Sequence, residues 1–260
     1  MGLALFVGKS LNWQTGLQRA ATPMMKQIIY LMNYTNVILV PILFAIIIII
    51  VVLYILYSKK NKPRIEKSNN ITLEIVWIVI PITILLGICR QSLRILKYQM
   101  NQKKSPFMTI KVTAHQWYWN YEYSFADKFD FNSNMLKPEQ REKLNKTNTF
   151  MYPSLLAVDY ELIVPERRVI RLLITSADVI HGFAIPSFGI KTDAVPGKIN
   201  DTWIKISNAG IYYGQCSEFC GKDHAFMPIA VRVVSQEKFN EWIKLVKHNF
   251  NNAYVMLNKI

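Results

Sequence analysis

Two long apolar runs dominate the first hundred residues, and an alternation of apolar and polar positions replaces them after residue 105. From Asn36 to Tyr57 nearly every residue is apolar, and Ala45 to Leu53 is wholly so. At 1.5 Å per residue that run makes about 33 Å of helix, enough to cross the hydrocarbon core of a bilayer. Pro41 falls near its start, where a helix tolerates proline better, and Tyr54 and Tyr57 suit an interfacial belt. A buried helix of a soluble core is the competing reading; the length of the run and its lack of charge argue against it. A second apolar run begins at about Ile71, behind a stretch holding Lys59, Lys60, Lys62, Arg64 and Lys67. The pattern predicts an outer N-terminal segment over 1–35 and a transmembrane hairpin over 36–100. Its spans are 36–57 and 71–92, joined by a basic inner loop over 58–70. Basic residues favour the cytoplasmic or matrix face, which places both chain ends on the opposite side. Arg90, Arg94 and Lys97 reduce that contrast without matching the density of the loop.

Past a polar hinge at Gln102–Pro106 the period changes to two. Phe107–Ala114 and Arg168–Ile174 alternate as strands do, with shorter candidates near 116–123, 159–164, 201–206, 211–215 and 228–234. Residues 130–158, rich in Asn, Lys and Pro, carry the weakest pattern. Behind a Ser235 N-cap, Phe239, Trp242, Val246 and Phe250 fall at helical spacing and predict one closing amphipathic helix. Many short strands followed by one helix predict a β-sandwich or barrel over 105–260.

Charge sharpens the membrane reading. The chain carries a formal +14, of which residues 1–104 hold 13 Lys/Arg against 2 Asp/Glu, and residues 105–260 hold 18 against 15. The excess flanks the apolar runs, and no basic-aromatic module accompanies it, so nucleic acid is not the partner. Glu74 stands at the inner mouth of the second span. It reads either as a helix-end carboxylate in interfacial water or as a functional proton-path group. The three cysteines give no disulfide framework, and Cys89, within an apolar run, reads as inert.

The chemistry concentrates in Gly214–Pro228, where Cys216, Cys220, His224 and Met227 fall within twelve residues. Thiolate, imidazole and thioether together favour copper, zinc or iron–sulfur over calcium or magnesium. A mononuclear blue-copper site uses one Cys, so the second thiolate is surplus unless two thiolates bridge two copper ions. The loop therefore reads as a dinuclear copper site. A Cys216–Cys220 disulfide leaves His224 and Met227 without a purpose, and a zinc site leaves Met227 idle. Of the remaining histidines, His181 begins a turn 35 residues ahead of Cys216 and is the best second imidazole, whereas His248 reads as solvent-exposed.

Taken together, Glu74-Ile75-Val76-Trp77, the aromatic run His115–Tyr123, His181, Lys191–Gly197 and Tyr212–Gly221 closely resemble subunit II of the haem–copper cytochrome c oxidases, over nearly the whole chain. That resemblance implies a two-helix hairpin carrying a cupredoxin-like domain. It implies a dinuclear copper (CuA) centre bridged by Cys216 and Cys220, with His181, His224, Met227 and the Glu218 carbonyl completing the ligands. The Glu218 side chain would also help hold magnesium or manganese at the junction with subunit I. Trp117 would receive electrons from cytochrome c, and Glu74 would stand at the mouth of a proton path shared with subunit I. Partner docking would use surface carboxylates, with Glu122, Asp127, Asp130, Asp159 and Asp178 as candidates, although the domain is mildly basic and the acidic field thin. Subunits I and III and membrane lipid are the other implied partners. The membrane is a bacterial inner membrane or the mitochondrial inner membrane, with the copper domain in the periplasm or intermembrane space. A membrane-anchored copper carrier or chaperone outside any oxidase is the alternative; it gives Glu74 and Glu218 no use. The quinol-oxidase type of subunit II lacks the Cys/His/Met set, and a nitrous-oxide-reductase type needs a second catalytic domain. With no intramembrane His pair to ligate haem, the chain alone does not reduce oxygen.

Overall fold

The computed structural model describes residues 6–58, 69–100, 105–124, 129–246 and 248–258. Most of the basic loop, the hinge residues 101–104 and Asp127 lie outside them. The chain forms two compact units, one comprising residues 27–98 and the other the flanking residues up to Lys26 and from Gln99 onward.

The smaller unit holds most of two long helices, α1 (Pro23–Tyr57) and α2 (Ile71–Met100). The sequence explains where each begins. Thr22 caps α1: its Oγ1 accepts the Met25 N–H at 3.0 Å, and Pro23 takes the first helical position, where no N–H is needed. Asn70 caps α2 through the Leu73 N–H at 3.2 Å. Both helices therefore run beyond the apolar runs that signalled them, α1 toward its start and α2 toward its end. Each contains a window long and apolar enough to cross a membrane, and neither window is buried against protein. Side chains from Ile46 to Leu53 all stand exposed, a surface that water does not tolerate and lipid does. Cys89 is likewise exposed on α2.

The larger unit is a two-sheet sandwich. After a short strand β1 (Phe6–Gly8) ahead of α1, the strands are β2 (Met108–His115), β3 (Tyr118–Tyr123), β4 (Phe129–Ser133), β5 (Leu162–Pro165), β6 (Val169–Ser176), β7 (His181–Ile185), β8 (Ile190–Ala194), β9 (Asn200–Lys205), β10 (Gly210–Cys216) and β11 (Pro228–Val234). One sheet runs β4-β3-β2-β6-β9 and the other β5-β11-β10-β7-β8. The alternation read in β2 is the burial pattern observed, with Met108, Ile110, Val112 and Ala114 inward. Strands β7 and β8 escaped the sequence reading. His181-Gly182-Phe183-Ala184-Ile185 is buried on nearly every residue and so does not alternate, and Ile190-Lys191-Thr192-Asp193-Ala194 is mostly polar.

Strand β10 organises the second sheet. One edge pairs with β11 along most of its length. The other is shared: β1 lies parallel to Gly210–Tyr212, and β7 lies antiparallel to Gln215–Cys216. Gly214 permits this close approach, because a Cβ there would fall 2.0 Å from the Ala184 carbonyl oxygen. Beyond β1, the N-terminal segment is stitched down by the Ala21 N–H to the Ser187 carbonyl and the Thr22 hydroxyl to the Phe188 carbonyl.

The closing helix is two helices, α3 (Gln236–Val246) and α4 (Phe250–Asn258). Ser235 caps α3 through the Lys238 N–H, as its sequence position indicates, but the first helix stops before Phe250. Phe250 instead packs from α4 against Phe131 and Tyr160.

A buried ionic cluster ties α4 and the weakly patterned insertion to the second sheet. Glu161 lies 2.7 Å from Lys146 Nζ and 3.2 Å from Arg232 Nη2, all three side chains being almost wholly buried. Arg232 also donates to the Leu257 carbonyl of α4 and the Tyr152 hydroxyl, while Lys146 donates to the Val158 and Asp159 carbonyls. Burial opposes every charge here. For Glu161 the two cations prevail and hold its carboxyl below the usual range, whereas for Lys146 burial prevails and pulls its ammonium down. Removing the shared anion leaves two cations in the core. Glu161→Ala is expected to cost about 3–5 kcal/mol, read from denaturant unfolding of the detergent-solubilised chain by tryptophan fluorescence. Lys111→Ala, which breaks only the exposed pair with Glu122, is expected to cost under about 1 kcal/mol in the same assay.

Candidate metal centre

The soft donors converge at one end of the second sheet. Cys216 is the last residue of β10, His181 the first of β7, and Met227 immediately precedes β11. Since β7 and β11 flank β10, the loop from Ser217 to Met227 must fold back over the edge that carries His181. The Ser217 N–H donates to the Gly182 carbonyl at 3.0 Å, and the Cys216 Sγ lies 3.3 Å from the Glu218 carbonyl. The chain reverses after Cys220 at Gly221, whose φ of +118° lies in the region that favours glycine.

Cys216 and Cys220 place their sulfurs 3.9 Å apart, far beyond a disulfide bond of about 2.05 Å. The His181 Nδ1 stands 3.9 Å from the Cys216 sulfur; the His224 Nδ1 stands 3.4 Å and the Met227 Sδ 3.5 Å from the Cys220 sulfur. The donor atoms of His181, Cys216 and Cys220 all lie within 4.8 Å of one another, and all three residues are buried. Each sulfur thus has its own imidazole, and Met227 joins the Cys220 side.

Electrostatics prepare the cluster for cations. Burial pushes the Cys216 thiol up, but hydrogen bonds from His181 and the neighbouring backbone outweigh it and bring it down to about 6. Cys220 is pushed up to about 12 by burial and by the negative charge of Cys216 beside it. The pair loses one proton easily and holds the second, and a bound cation removes that repulsion. A sulfur separation of 3.9 Å is also less than twice a thiolate–metal bond of about 2.3 Å, so one ion reaches both sulfurs. The donor set and its spacing fit copper held between two thiolates.

His181 shows a second sign of a ligand. Its Nε2 lies 2.8 Å from the Asp178 carboxylate, which leaves Nδ1 facing Cys216. Burial works against the charged imidazole, yet Cys216 and Asp178 together raise its pKa. Asp178 is held below the usual carboxylate range: burial raises it, but His181 and the Val179 and Gln116 N–H groups outweigh that. The sequence signals this contact as an acid three residues before the histidine, and Asp178 also stands exposed at the surface.

The aromatic run reaches the same loop from the first sheet. Gln116 Nε2 and Trp117 Nε1 both donate to the Cys220 carbonyl, at 2.9 and 3.3 Å. Trp119 Nε1 donates to the Met227 carbonyl at 3.2 Å. In the sequence Trp119 is one member of the aromatic run His115–Tyr123, and nothing there marks this contact. Trp117 is half-buried, and Glu218 and Phe219 are exposed beside the cluster.

Among the docking acids, Asp159 is a correction. It is buried, and its carboxylate accepts the Asn134 and Tyr160 N–H groups, both at 2.7 Å, because it closes the turn that leads into β5. Asp130 is exposed and accepts from Asn120, and Glu122 lies half-buried 3.7 Å from Lys111. Glu74 sits half-buried in the first turn of α2, where a helix dipole favours an acid.

Known proteins place this architecture. The family described as "Cytochrome C oxidase subunit II, periplasmic domain" matches residues 108–234, and "Cytochrome C oxidase subunit II, transmembrane domain" matches residues 10–95. A probable cytochrome c oxidase subunit 2 of Rickettsia conorii is 42% identical over 239 residues, covering 92% of this chain and 73% of that protein. Cytochrome c oxidase subunit 2 of Oenothera berteroana is 42% identical over 238 residues, covering 89% of each chain. The solved periplasmic domain of subunit II of cytochrome oxidase from Bradyrhizobium japonicum is 48% identical, with a TM-score of 0.50, and covers 57% of this chain and 99% of that one. The sandwich is thus the cupredoxin-like one, and the apolar helices are a membrane anchor. The chain belongs to the cytochrome c oxidase subunit II family and is a subunit of that oxidoreductase complex.

Proposed function

We propose that this chain is the electron-accepting subunit of its oxidase. It takes single electrons from cytochrome c at a dinuclear copper centre and passes them to the haems of subunit I, where oxygen is reduced to water with proton pumping. The observation that carries this reading is the pairing of two unbridged thiols 3.9 Å apart, each with its own imidazole. Cys216, Cys220, His181 and His224 would hold the copper, with Met227 and the Glu218 carbonyl as its weaker donors. When bound, the copper pair provides a one-electron relay whose charge is spread over two metals. The chain's part is rigidity: β7, β10 and β11 fix three of the donors at strand ends, so the ligands move little between charge states.

Trp117 lies between solvent and the Cys220 carbonyl, which suits it to receive the electron. The exposed Glu218 side chain is free to meet a hard cation such as magnesium or manganese at the junction with subunit I. Docking falls to Glu122, Asp127, Asp130 and the exposed Asp178, which also holds His181, with the buried Asp159 withdrawn. Membrane lipid surrounds the hairpin, subunit III completes the partners, and the sandwich faces the periplasm or intermembrane space.

Three measurements test this. Copper-loaded full-length chain in detergent should show two copper ions per chain and a mixed-valence paramagnetic spectrum with hyperfine coupling to both nuclei. One copper per chain, or loading with zinc alone, would overturn the reading. Asp178→Asn should weaken copper binding about 10- to 100-fold, measured by competition with a chelator, while an unchanged affinity would reduce Asp178 to a turn residue. Glu74→Gln in the assembled oxidase should slow proton uptake and turnover together; unchanged turnover would leave Glu74 as a helix-end carboxylate.

A further inference from the structure

Gln116, Trp117 and Trp119 all reach the ligand loop from the first sheet and the turn that precedes β3, and of these three Trp119 is the fully buried one. It lies in β3, opposite Ala114 on one side and Ser133 on the other, with no solvent exposure. Its ring packs edge-on against Phe183, with centroids 5.2 Å apart, and against His181 at 6.2 Å. Its only hydrogen-bonding atom, Nε1, points at the Met227 carbonyl. Met227 is buried, and it links the short turn His224–Phe226 to β11. Pro228 behind it keeps its backbone out of the helical region, here at φ −123° and ψ 70°. The backbone of Met227 is therefore held from two sides, by the proline ring and by the indole. The Met227 thioether reaches the Cys220 sulfur from that fixed point.

We propose that Trp119 is a positioning residue for the redox centre, its indole N–H fixing the backbone of Met227 and thereby the distance of the weak thioether ligand. The proposal rests on the dinuclear copper reading above. An axial thioether tunes the potential of a copper–thiolate site through its distance, and groups that hold a ligand in place tune the metal almost as strongly as the ligand does. Trp119 thus differs from its neighbour Trp117, which bonds to a bridging-thiolate residue at the half-buried rim. Two tryptophans two residues apart serve one centre from the same strand region, one toward solvent and one toward the core.

A double-mutant cycle on the copper-loaded full-length chain in detergent tests this. Trp119→Phe keeps a ring against His181 and Phe183 but deletes the donor, and Met227→Leu removes the thioether. The expected result is that Trp119→Phe retains two copper ions and changes the oxidised-to-reduced ratio at fixed ambient potential by at least about threefold, which is ~28 mV for a one-electron couple. The hyperfine pattern should change with it. In the Met227→Leu background the same substitution should produce no further shift, because its effect passes through the thioether. No shift in the single variant, or an equal shift in both backgrounds, would overturn the proposal and leave Trp119 as packing. Trp119→Tyr, which adds a phenolic O–H to the same ring as Phe, is read on the same cycle; failure of both variants to fold without metal would likewise assign the residue to the core. Absence of a two-copper spectrum in the unsubstituted chain would instead sink the underlying reading, and it is seen before any substitution is made.

Discussion

The constraint on which the molecule turns is the close placement of two sulfur atoms that repel once ionised. Cys216 and Cys220 sit side by side without a bond, and the second proton is retained because burial and the nearby first charge both oppose its loss. Holding such a pair requires rigid supports, and the sandwich supplies them at strand termini. A loop free to relax would let the sulfurs part or join. Here its first residue bonds to β7, its middle accepts from the β2–β3 turn, and its last residue accepts from β3. Both sheets therefore contribute to one loop.

Support for the loop comes at the expense of an easy core elsewhere. The far side of the second sheet buries Lys146, Glu161 and Arg232, charges that an apolar core would avoid. What they hold is the insertion between β4 and β5, through Lys146 and Tyr152, and the end of α4, through the Leu257 carbonyl. The three charges act as a fastener where hydrophobic patterning is weakest. They also fix β11 from behind, the strand that follows Met227 directly.

Much of this was legible in the sequence, and the failures share a cause. The hairpin was plain because long apolar runs have no other use, and β2 because one face is buried and the other is not. Strand β7 was missed because burial on both faces erases alternation, although its first residue, His181, was found from chemistry alone. Asp159 reads as a surface acid because a sequence shows charge but not partners, and in the fold it closes a turn, whereas Asp178 does stand at the surface and its carboxylate also orients an imidazole. The break between α3 and α4 was invisible because Phe250 keeps the helical spacing across it. The donors of the centre were readable as residue types, whereas Gln116 and Trp119 act through backbone carbonyls, which no residue pattern marks.

The parallel pairing of β1 with β10 carries a topological meaning. Phe6 meets Gly210 across two hundred residues of chain that include both apolar helices. One sheet thus joins chain from before α1 to chain from after α2, and the sheet whose strand ends at Cys216 is complete only when these two distant stretches have come together.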